Sequence, residues 1–230
     1  MSLVDLIFPK KCINCRKLGE FICPQCFGKI AYNDNFQCSV CMRSAINCLT
    51  HPGCQKPLEI DGVVAITNYN NIVKRLIYQF KNNPHVSKLA GIISRVLIEG
   101  LEQNEGFYNF VLQNNPTLIP IPLSQKRLRE RGYNHAELLA SYVAKYYKLK
   151  LNSKALVQVK DTKPQSKLSK KDRIENVRNA FGINKNLKLP ENVVLIDDIA
   201  TSFATLREAA KVLKQKGVKK VLGVTFAREI

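Results

Sequence analysis

Apolar positions along most of the chain recur with the spacing of helices and strands in turn. Helical spacing predicts helices at residues 72–80, 89–97, 138–146 and 206–216, the last of them ended by Gly217. Short apolar or β-branched runs predict strands at residues 61–69, 117–122, 193–196 and 221–226. Strands that alternate with helices favour an α/β domain with a mainly parallel sheet.

Two polar segments interrupt this pattern. Pro120 and Pro122 cut off the second strand, which predicts a loop that carries Arg127 and Arg131 among other basic residues. Residues 160–178 hold seven basic residues against three acidic ones and show little apolar periodicity. We interpret this segment as a mobile basic loop, and the alternative is an ordinary solvated surface segment.

The cysteines are confined to the first quarter of the chain. All eight lie between Cys12 and Cys54, and six of them form pairs with two intervening residues: Cys12 and Cys15, Cys23 and Cys26, Cys38 and Cys41. This spacing lets two thiolates on a tight turn bind the same tetrahedral ion. Cys48 and Cys54 are more widely spaced, with His51 between them, which gives nine possible ligands for eight places.

These cysteines predict a structural zinc module over residues 1–57, followed by the α/β domain over residues 58–230. The expected sites are one of Cys12, Cys15, Cys23 and Cys26 and one of Cys38, Cys41, Cys48 and Cys54. Interleaved pairing and the loss of one ion stay open. A disulfide framework or a redox role is disfavoured, since we expect a cytoplasmic chain and no strand–helix pattern surrounds the pairs.

The charge is strongly positive, at +18 overall, and residues 61–230 hold 29 basic and 14 acidic residues. Such a field favours polyanions such as nucleic acid, nucleotides or anionic lipid. The alternative is that lysine simply serves as the default surface residue. The apolar start at residues 1–9 is too short to span a bilayer and lacks the features of an export signal, so we expect a cytoplasmic protein that is not membrane-embedded.

The segment from Val193 to Leu206 joins a hydrophobic strand to a helix through two carboxylates and three hydroxyls. Backbone amides at a helix start suit a phosphate, and the hydroxyls of Thr201, Ser202 and Thr205 can add donors. The carboxylates of Asp197 and Asp198 would instead accept hydrogen bonds from sugar hydroxyls, so a ribose 5-phosphate fits. The alternative is that the two acids merely cap the helix.

This segment resembles the binding loop of type I phosphoribosyltransferases, and the whole chain resembles the ComF (or GntX) family, phosphoribosyltransferase-like proteins linked to DNA uptake. Further matches fall in family order: Phe8-Pro9, residues 76–81, 120–123 and 131–134, Pro164-Gln165, Arg173 with Asn176-Val177, Ala180-Phe181 and Ala227-Arg228. The resemblance implies a type I phosphoribosyltransferase fold behind a zinc-ribbon module.

The resemblance also implies the roles of residues. Asp197 and Asp198 would bind the ribose diol of phosphoribosyl pyrophosphate (PRPP) as the catalytic acids. Its 5-phosphate would be wrapped by Ala200, Thr201, Ser202, Phe203, Ala204 and Thr205. Arg127 and Arg131 would approach the pyrophosphate, with Mg²⁺ bridging this leaving group, and residues 160–178 would cover the site.

Two positions depart from the family pattern. Phe203 stands where the family has glycine, at a point where the backbone must approach the ligand closely or take a positive φ, and Phe does neither readily. This argues against turnover and against tight phosphate binding. His135 stands where the family usually has Gln, and a histidine could still donate to a ligand.

Three functions remain as hypotheses. The first is a competence protein that handles single-stranded DNA in the cytoplasm during natural transformation. The second is an active Mg²⁺-dependent phosphoribosyltransferase, similar to amidophosphoribosyltransferases, with an unknown acceptor. The third is a scaffold for other proteins of the DNA-uptake machinery.

Overall fold

The computed structural model describes residues 10–82, 86–162 and 170–229. The apolar start at residues 1–9 and residues 163–169 of the predicted basic loop lie outside the described residues. The strands are β1 (Gly62–Asn68), β2 (Thr117–Pro120), β3 (Leu156–Gln158), β4 (Phe181–Ile183), β5 (Asn192–Ala200) and β6 (Lys220–Arg228). The helices are α1 (Pro24–Phe27), α2 (Asn71–Asn82), α3 (Val86–Glu102), α4 (Glu105–Asn114), α5 (Gln125–Arg131), α6 (His135–Tyr147), α7 (Lys170–Val177) and α8 (Ala204–Lys214), with short 3-10 turns at Ile46–Cys48 and Pro52–Cys54.

Four parallel strands form the central sheet in the order β1-β6-β5-β2, while β3 and β4 form a separate antiparallel pair. This confirms the predicted α/β architecture with a mainly parallel sheet flanked by helices. Because all four strands run the same way, their carboxyl ends meet at one edge. At that edge Pro120 lies beside Ile196 in β5, and Asp197 lies beside Thr225 in β6.

Both faces of the sheet are buried, as the unbroken apolar run in β5 requires. Val194 and Ile196 pack on one face with α2, α3 and α6, whereas Val193 and Leu195 pack on the other with α8. Successive side chains of a strand point to opposite faces, so one continuous run supplies both cores.

The cysteine-rich segment packs directly against the sheet. The backbone N–H of Asn33 donates to Ile66 O at 2.8 Å, and its side-chain amide donates to Ala65 O at 3.1 Å. Close contact also requires Gly106, where an added Cβ would lie 2.1 Å from Asn47 O. Cys12, Cys23, Cys26 and Cys48 are buried in the same apolar cluster as α2, α3 and α6, so this segment shares the core of the larger domain.

The structure differs from the sequence predictions at two elements near the sheet edge. Where a loop was predicted after the second strand, residues Gln125–Arg131 form α5, because Ser124 caps its N-terminus and Gly132 ends it with φ 77°. Part of the predicted mobile loop, Lys170–Val177, forms α7. Among the described residues, no helix is long and apolar enough to cross a membrane.

Candidate functional site

A cleft of about 1200 Å³ opens at the carboxyl edge of the parallel sheet. Its floor comes from the ends of β2 and β5. Its walls come from α2, α5 and the turn that begins at Cys12 and contributes Ile13 and Arg16, called here the first cysteine turn. Six basic and four acidic side chains line it: Arg16, Lys74, Arg75, Lys81, Arg127 and Arg131 against Glu130, Asp197, Asp198 and Glu229. Ligands of parallel α/β sheets bind at this edge, which makes the cleft the candidate site.

The two predicted acids lie near the end of β5 itself rather than in a loop after it, because the strand continues to Ala200. Each carboxylate accepts from the next backbone N–H: Asp197 from Asp198 at 2.8 Å, and Asp198 from Ile199 at 2.9 Å. The second oxygen of Asp198 lies 2.5 Å from the ammonium of Lys81, which α2 projects across the cleft. Backbone hydrogen bonds therefore hold both carboxyl groups, and the negative charge of Asp198 is paired with the ammonium of Lys81.

Burial and the charges around the two acids give Asp197 and Asp198 different pKa values. Desolvation, followed by the neighbouring Asp198 carboxylate, raises the pKa of Asp197 to about 8. Burial acts in the same direction on Asp198, but the Lys81 ammonium outweighs it and lowers the pKa of Asp198. At neutral pH the pair thus carries one proton and one negative charge.

The segment between β5 and α8 turns sharply through Thr201, Ser202 and Phe203. The hydroxyl oxygens of Thr201 and Ser202 are shielded from solvent and have no hydrogen-bond partner among the described residues. Thr201 and Thr205 line the cleft, whereas Ala200, Ser202, Phe203 and Ala204 form no part of its wall. Shielded hydroxyls without partners are unfavourable unless a ligand supplies an acceptor or donor.

Phe203 adopts the positive φ that phenylalanine does not readily take, with φ 55° and ψ 10°. Its ring turns away from the cleft into the core, where it is 3% exposed and stacks under the Arg228 guanidinium at 4.9 Å. A left-handed residue costs about 1–2 kcal/mol, and burial of a Phe ring returns about 1.5–3 kcal/mol. The packing therefore offsets the strain, and the Phe203 side chain does not obstruct the cleft.

The two predicted arginines both reach the cleft from α5. The guanidinium of Arg127 donates to Thr162 O at 2.7 Å, which ties α5 to the chain that follows β3. Burial lowers the pKa of Arg127, and the neighbouring Arg131 adds to this effect. Two adjacent guanidinium groups beside an acidic floor are an arrangement that suits a phosphate or pyrophosphate.

His135 lies at the bottom of the same cleft and is 2% exposed. Its ring is enclosed edge-on by Phe80 at 5.1 Å and Tyr133 at 4.9 Å between ring centroids. Desolvation lowers its pKa to about 4, so the imidazole is neutral at physiological pH. Its Nε2 is shielded from solvent and has no hydrogen-bond partner among the described residues.

Four basic residues of the cleft were not predicted from the sequence as site residues: Arg16, Lys74, Arg75 and Lys81. Lys81 stood out only as part of a family match, and no local signal links it to an acid more than a hundred positions away. Arg16 follows a cysteine pair and has the pattern of ordinary surface charge. Only the packing of α2 and the first cysteine turn around the sheet edge brings them together.

The first cysteine group brings together the four predicted sulfurs of Cys12, Cys15, Cys23 and Cys26, all within 4.8 Å of one another. Two thiolates at about 2.3 Å from one tetrahedral ion stand about 3.8 Å apart. The Cys15 and Cys23 sulfurs are 3.6 Å apart, which fits that geometry. This group could therefore hold a metal ion.

Thiol ionisation in this group also suits a cation. Burial opposes ionisation of Cys12, but backbone N–H groups of Cys15, Cys23 and Asn14 outweigh it and lower its pKa to about 6. The backbone at Lys17 favours ionisation of Cys15, yet hydrogen bonds with the Cys12 and Cys23 sulfurs raise its pKa to about 11. The opposite shifts of Cys12 and Cys15 mean that both ionise at neutral pH only when a positive ion lies beside them.

The second group consists of Cys38, Cys41, Cys54 and His51, again within 4.8 Å. The Nδ1 of His51 lies 3.3 Å from the Cys41 sulfur, and its Nε2 lies 2.8 Å from Ser44 O. A carbonyl that accepts from Nε2–H leaves the lone pair on Nδ1 for a metal, which is the usual support of a histidine ligand. This group could hold a second metal ion.

Cys48 lies outside this second group, so the predicted ligand set and the cluster that the structure forms differ at this one position. Its sulfur is fully buried and accepts a hydrogen bond from the Asn104 amide at 3.2 Å. Burial raises the pKa of Cys48 to about 11, which keeps it a thiol. His51 takes the place that the prediction gave to Cys48.

No family model matches the chain. The chain is 29% identical over 213 residues to the DNA utilization protein YhgH of Escherichia coli O6:H1, an alignment that covers 91% of this chain and 85% of that protein. It is 28% identical over 222 residues to Competence protein F of Haemophilus influenzae, with 88% and 94% covered.

The chain is also 29% identical over 153 residues to Competence protein ComFC of Bacillus subtilis, with 66% of this chain and 58% of that protein covered. The similarity to the first two relatives covers 91% and 88% of this chain. Because the similarity to the first two extends over most of both proteins and agrees with the motifs found in the sequence, these relatives support a ComF family protein.

Proposed function

We propose that this protein is a ComF-type competence protein that handles single-stranded DNA in the cytoplasm during natural transformation. Its relatives bear names of competence and DNA utilization, which point to this process. The observation that carries the proposal is the cleft, since it combines six basic side chains with an acid pair and with the Thr201 hydroxyl, which lacks a hydrogen-bond partner among the described residues. The net charge of +18 adds a long-range attraction for a polyanion.

We also propose that the cleft at the carboxyl edge of the sheet binds PRPP. The diol of the ribose would donate to Asp197 and Asp198, and the 5-phosphate would accept from the backbone and hydroxyls of residues 200–205. Because Asp197 carries a proton, the pair can both accept hydrogen bonds from the ribose hydroxyls and donate one to them. The two carboxyl groups then do not repel each other as two negative charges would. Arg127 and Arg131 would face the pyrophosphate, and Mg²⁺, when bound, would neutralise its charge.

The two cysteine groups are proposed as structural zinc sites. Sulfur and imidazole ligands in a four-coordinate arrangement favour zinc over magnesium or calcium. Four protein ligands in each group leave no position for substrate, so neither ion would take part in chemistry. Their role would be to hold the cysteine-rich segment against the sheet.

A gel-shift titration of a fluorescent oligothymidylate over a salt series tests the main proposal. Because phosphate contacts release counterions, log affinity is expected to fall linearly with log salt, by about 0.7 for each contact on a single strand. The Arg127→Gln/Arg131→Gln variant should bind more weakly, whereas Lys216→Gln, at the opposite edge of the sheet, should match the wild type. An affinity that does not change with salt would exclude phosphate contacts and overturn the proposal.

A second candidate function is an active phosphoribosyltransferase. The ring of Phe203 favours it, because the ring points into the core and leaves the cleft open. In that reaction a nucleophile forms a bond to the anomeric carbon as the bond to pyrophosphate breaks, and the electron pair leaves with pyrophosphate. Arg127, Arg131 and Lys81 would stabilise the charge that develops on the leaving group.

Pyrophosphate release from PRPP, measured with Mg²⁺ and a panel of amines and nucleobases, tests this second candidate. Wild type should release pyrophosphate with at least one acceptor, and Asp197→Asn should slow the release by at least tenfold. Release at the uncatalysed rate with every acceptor, despite PRPP binding, would remove the enzyme hypothesis and leave a binding protein.

A further inference from the structure

One wall of the cleft is built by two segments distant in sequence: the first cysteine turn and α2. Ile13 and Arg16 come from the turn, and Lys74, Arg75 and Tyr78 come from α2. These residues line the same cleft as the acid pair but belong to neither the acid pair nor the β5–α8 turn. They have no role in the PRPP site proposed above.

The cysteine turn fixes the position of Arg16. The backbone N–H of Arg16 donates to Cys12 O at 2.9 Å, and Arg16 adopts a left-handed conformation with φ 67° as the turn closes. The neighbouring Asn14 donates its side-chain amide to the Cys26 sulfur at 3.3 Å. The metal-binding geometry of the first group therefore determines where the Arg16 side chain leaves the backbone.

Arg75 joins this turn to α2. Its guanidinium donates both to the backbone oxygen and to the side-chain oxygen of Asn14, at 2.9 and 3.1 Å. Because Arg75 is engaged in this way, we treat it as a positioning residue. Its contact aligns the exposed face of α2 with the cysteine turn as one surface.

Three other side chains of this wall are exposed: those of Arg16, Lys74 and Tyr78. Arg16 and Lys74 are exposed, and the side chain of neither has a hydrogen-bond or ion-pair partner among the described residues. Tyr78 is 64% exposed and lies one helical turn beyond Lys74 on the same face of α2. Two such cations beside an exposed aromatic ring are the elements of a single-strand binding surface: charges for phosphates and a platform for a base.

We propose that this wall, formed by Arg16, Lys74 and Tyr78, is the surface on which a single strand of nucleic acid lies as it enters the cleft. The inference rests on the proposed function and adds to it the location and chemistry of strand binding. Arg16 and Lys74 contact successive phosphates, and Tyr78 stacks on an unpaired base. A base within a duplex is already stacked on both sides, so the wall selects single strands.

Fluorescence anisotropy with a labelled oligothymidylate over a KCl series tests this surface in the full-length, metal-loaded protein. Arg16→Gln and Lys74→Gln should each reduce the slope of log affinity against log salt by about 0.7. Tyr78→Leu should weaken binding roughly 5- to 150-fold at one salt concentration and leave the slope unchanged. All three positions are exposed, so equal thermal unfolding and metal content should verify that the variants are folded.

The matched controls remove the same groups elsewhere. Lys150→Gln and Lys216→Gln each remove one exposed positive charge at the amino end of the strands, and Tyr108→Leu removes an exposed ring on α4. If wild type binds with a steep salt slope but the three wall variants behave like these controls, the strand does not bind on this wall, and the proposed function stands. If wild type itself shows no salt-dependent binding, the proposed function fails and this inference fails with it. Equal affinity for a hairpin duplex would also overturn the proposed selection of single strands.

Discussion

At the scale of single residues, burial decides the role of side chains whose chemistry alone is ambiguous. Cys48 has the chemistry of a ligand, but it is buried against Asn104 with a raised pKa, and His51 instead is the fourth member of the second group that could hold a metal ion. Phe203 has the wrong shape for a left-handed turn, but its ring is accommodated in the core under Arg228. In both cases the deciding interaction is with a residue far away in the sequence.

Metal content distinguishes the two candidate ligands of the second site. Cys54→Ala and His51→Ala should each lose about one equivalent of bound zinc, because three ligands bind far more weakly than four. Cys48→Ala should retain two equivalents, since its sulfur only meets an amide. Mass spectrometry under native conditions measures both, and a Cys48 variant that holds a single ion would contradict the assignment of His51 as the fourth ligand.

The positive φ at Phe203 predicts an unusual order of stabilities. Loss of the buried ring should destabilise both Phe203→Ala and Phe203→Gly by about 3–5 kcal/mol. Glycine adopts φ 55° without a Cβ penalty, so Phe203→Gly should be more stable than Phe203→Ala by about 1 kcal/mol. Urea unfolding measures the difference, and an alanine variant more stable than the glycine variant would show that the turn is not left-handed.

At the scale of elements, the end of β5 and the facing helix α2 together determine the position and charge of the acid pair. The strand continues through Asp197 and Asp198 to Ala200, and its pairing with β6 at Asp197 and at Ile199 fixes the backbone on either side of the two carboxylates. Lys81 from α2 forms an ion pair with Asp198, while burial, followed by the neighbouring Asp198 carboxylate, raises the pKa of Asp197. β5 and α2 thus together hold Asp197 and Asp198 next to each other.

This arrangement predicts a pH dependence of stability. The pKa of Asp197 is about 8 in the folded chain and about 4 in an unfolded one, so folded protein holds a proton that unfolded protein has lost. Stability should therefore fall as pH rises from about 4 to 8, by up to about 1.4 kcal/mol per pH unit. Asp197→Asn should lack this contribution, and chemical unfolding of both proteins at pH 5.5 and 7 measures the difference. Parallel stability profiles of the two proteins would contradict a raised pKa.

The elements that the sequence predicted are those whose periodicity comes from burial. β1, β5, β6, α2 and α8 all carry continuous or striped apolar residues, and all form where that pattern predicts. α5 was missed because it is short, strongly charged and defined by its caps, Ser124 and Gly132, rather than by an apolar face. The acid pair and the hydroxyls were visible as a motif, whereas Lys81, Arg16 and Tyr78 join the cleft only through tertiary packing.

At the scale of the whole molecule, the cysteine-rich segment and the α/β domain depend on one another. Cys12, Cys23, Cys26 and Cys48 belong to the apolar cluster that also buries α2 and α3. Arg228, at the end of β6, reaches back to Gln37 and Met42 beside the second metal group, while its guanidinium covers Phe203. The second metal group and the β5–α8 turn are thus connected through Arg228.

Metal removal should therefore destabilise the entire fold. Structural zinc contributes several kcal/mol or more to folding, and each kcal/mol corresponds to about 2–4 °C in a chain of this size. A chelator should lower the midpoint of thermal unfolding by at least about 10 °C in a single transition that includes the helices. An unchanged midpoint after verified removal of zinc would show that the cysteine segment folds independently of the sheet.

The cleft at the end of β5 is central to both proposed functions, and we propose that it binds PRPP through the acid pair and the adjoining turn. Calorimetric titration with PRPP and Mg²⁺ tests this most directly, on wild type, Asp197→Ala, Asp198→Ala and the distant control Lys216→Gln. We expect saturable heat at one ligand per chain for wild type and control, and a loss of affinity of at least tenfold for both aspartate variants. Wild type that gives no heat of binding, at any temperature tested, would contradict PRPP binding in this cleft.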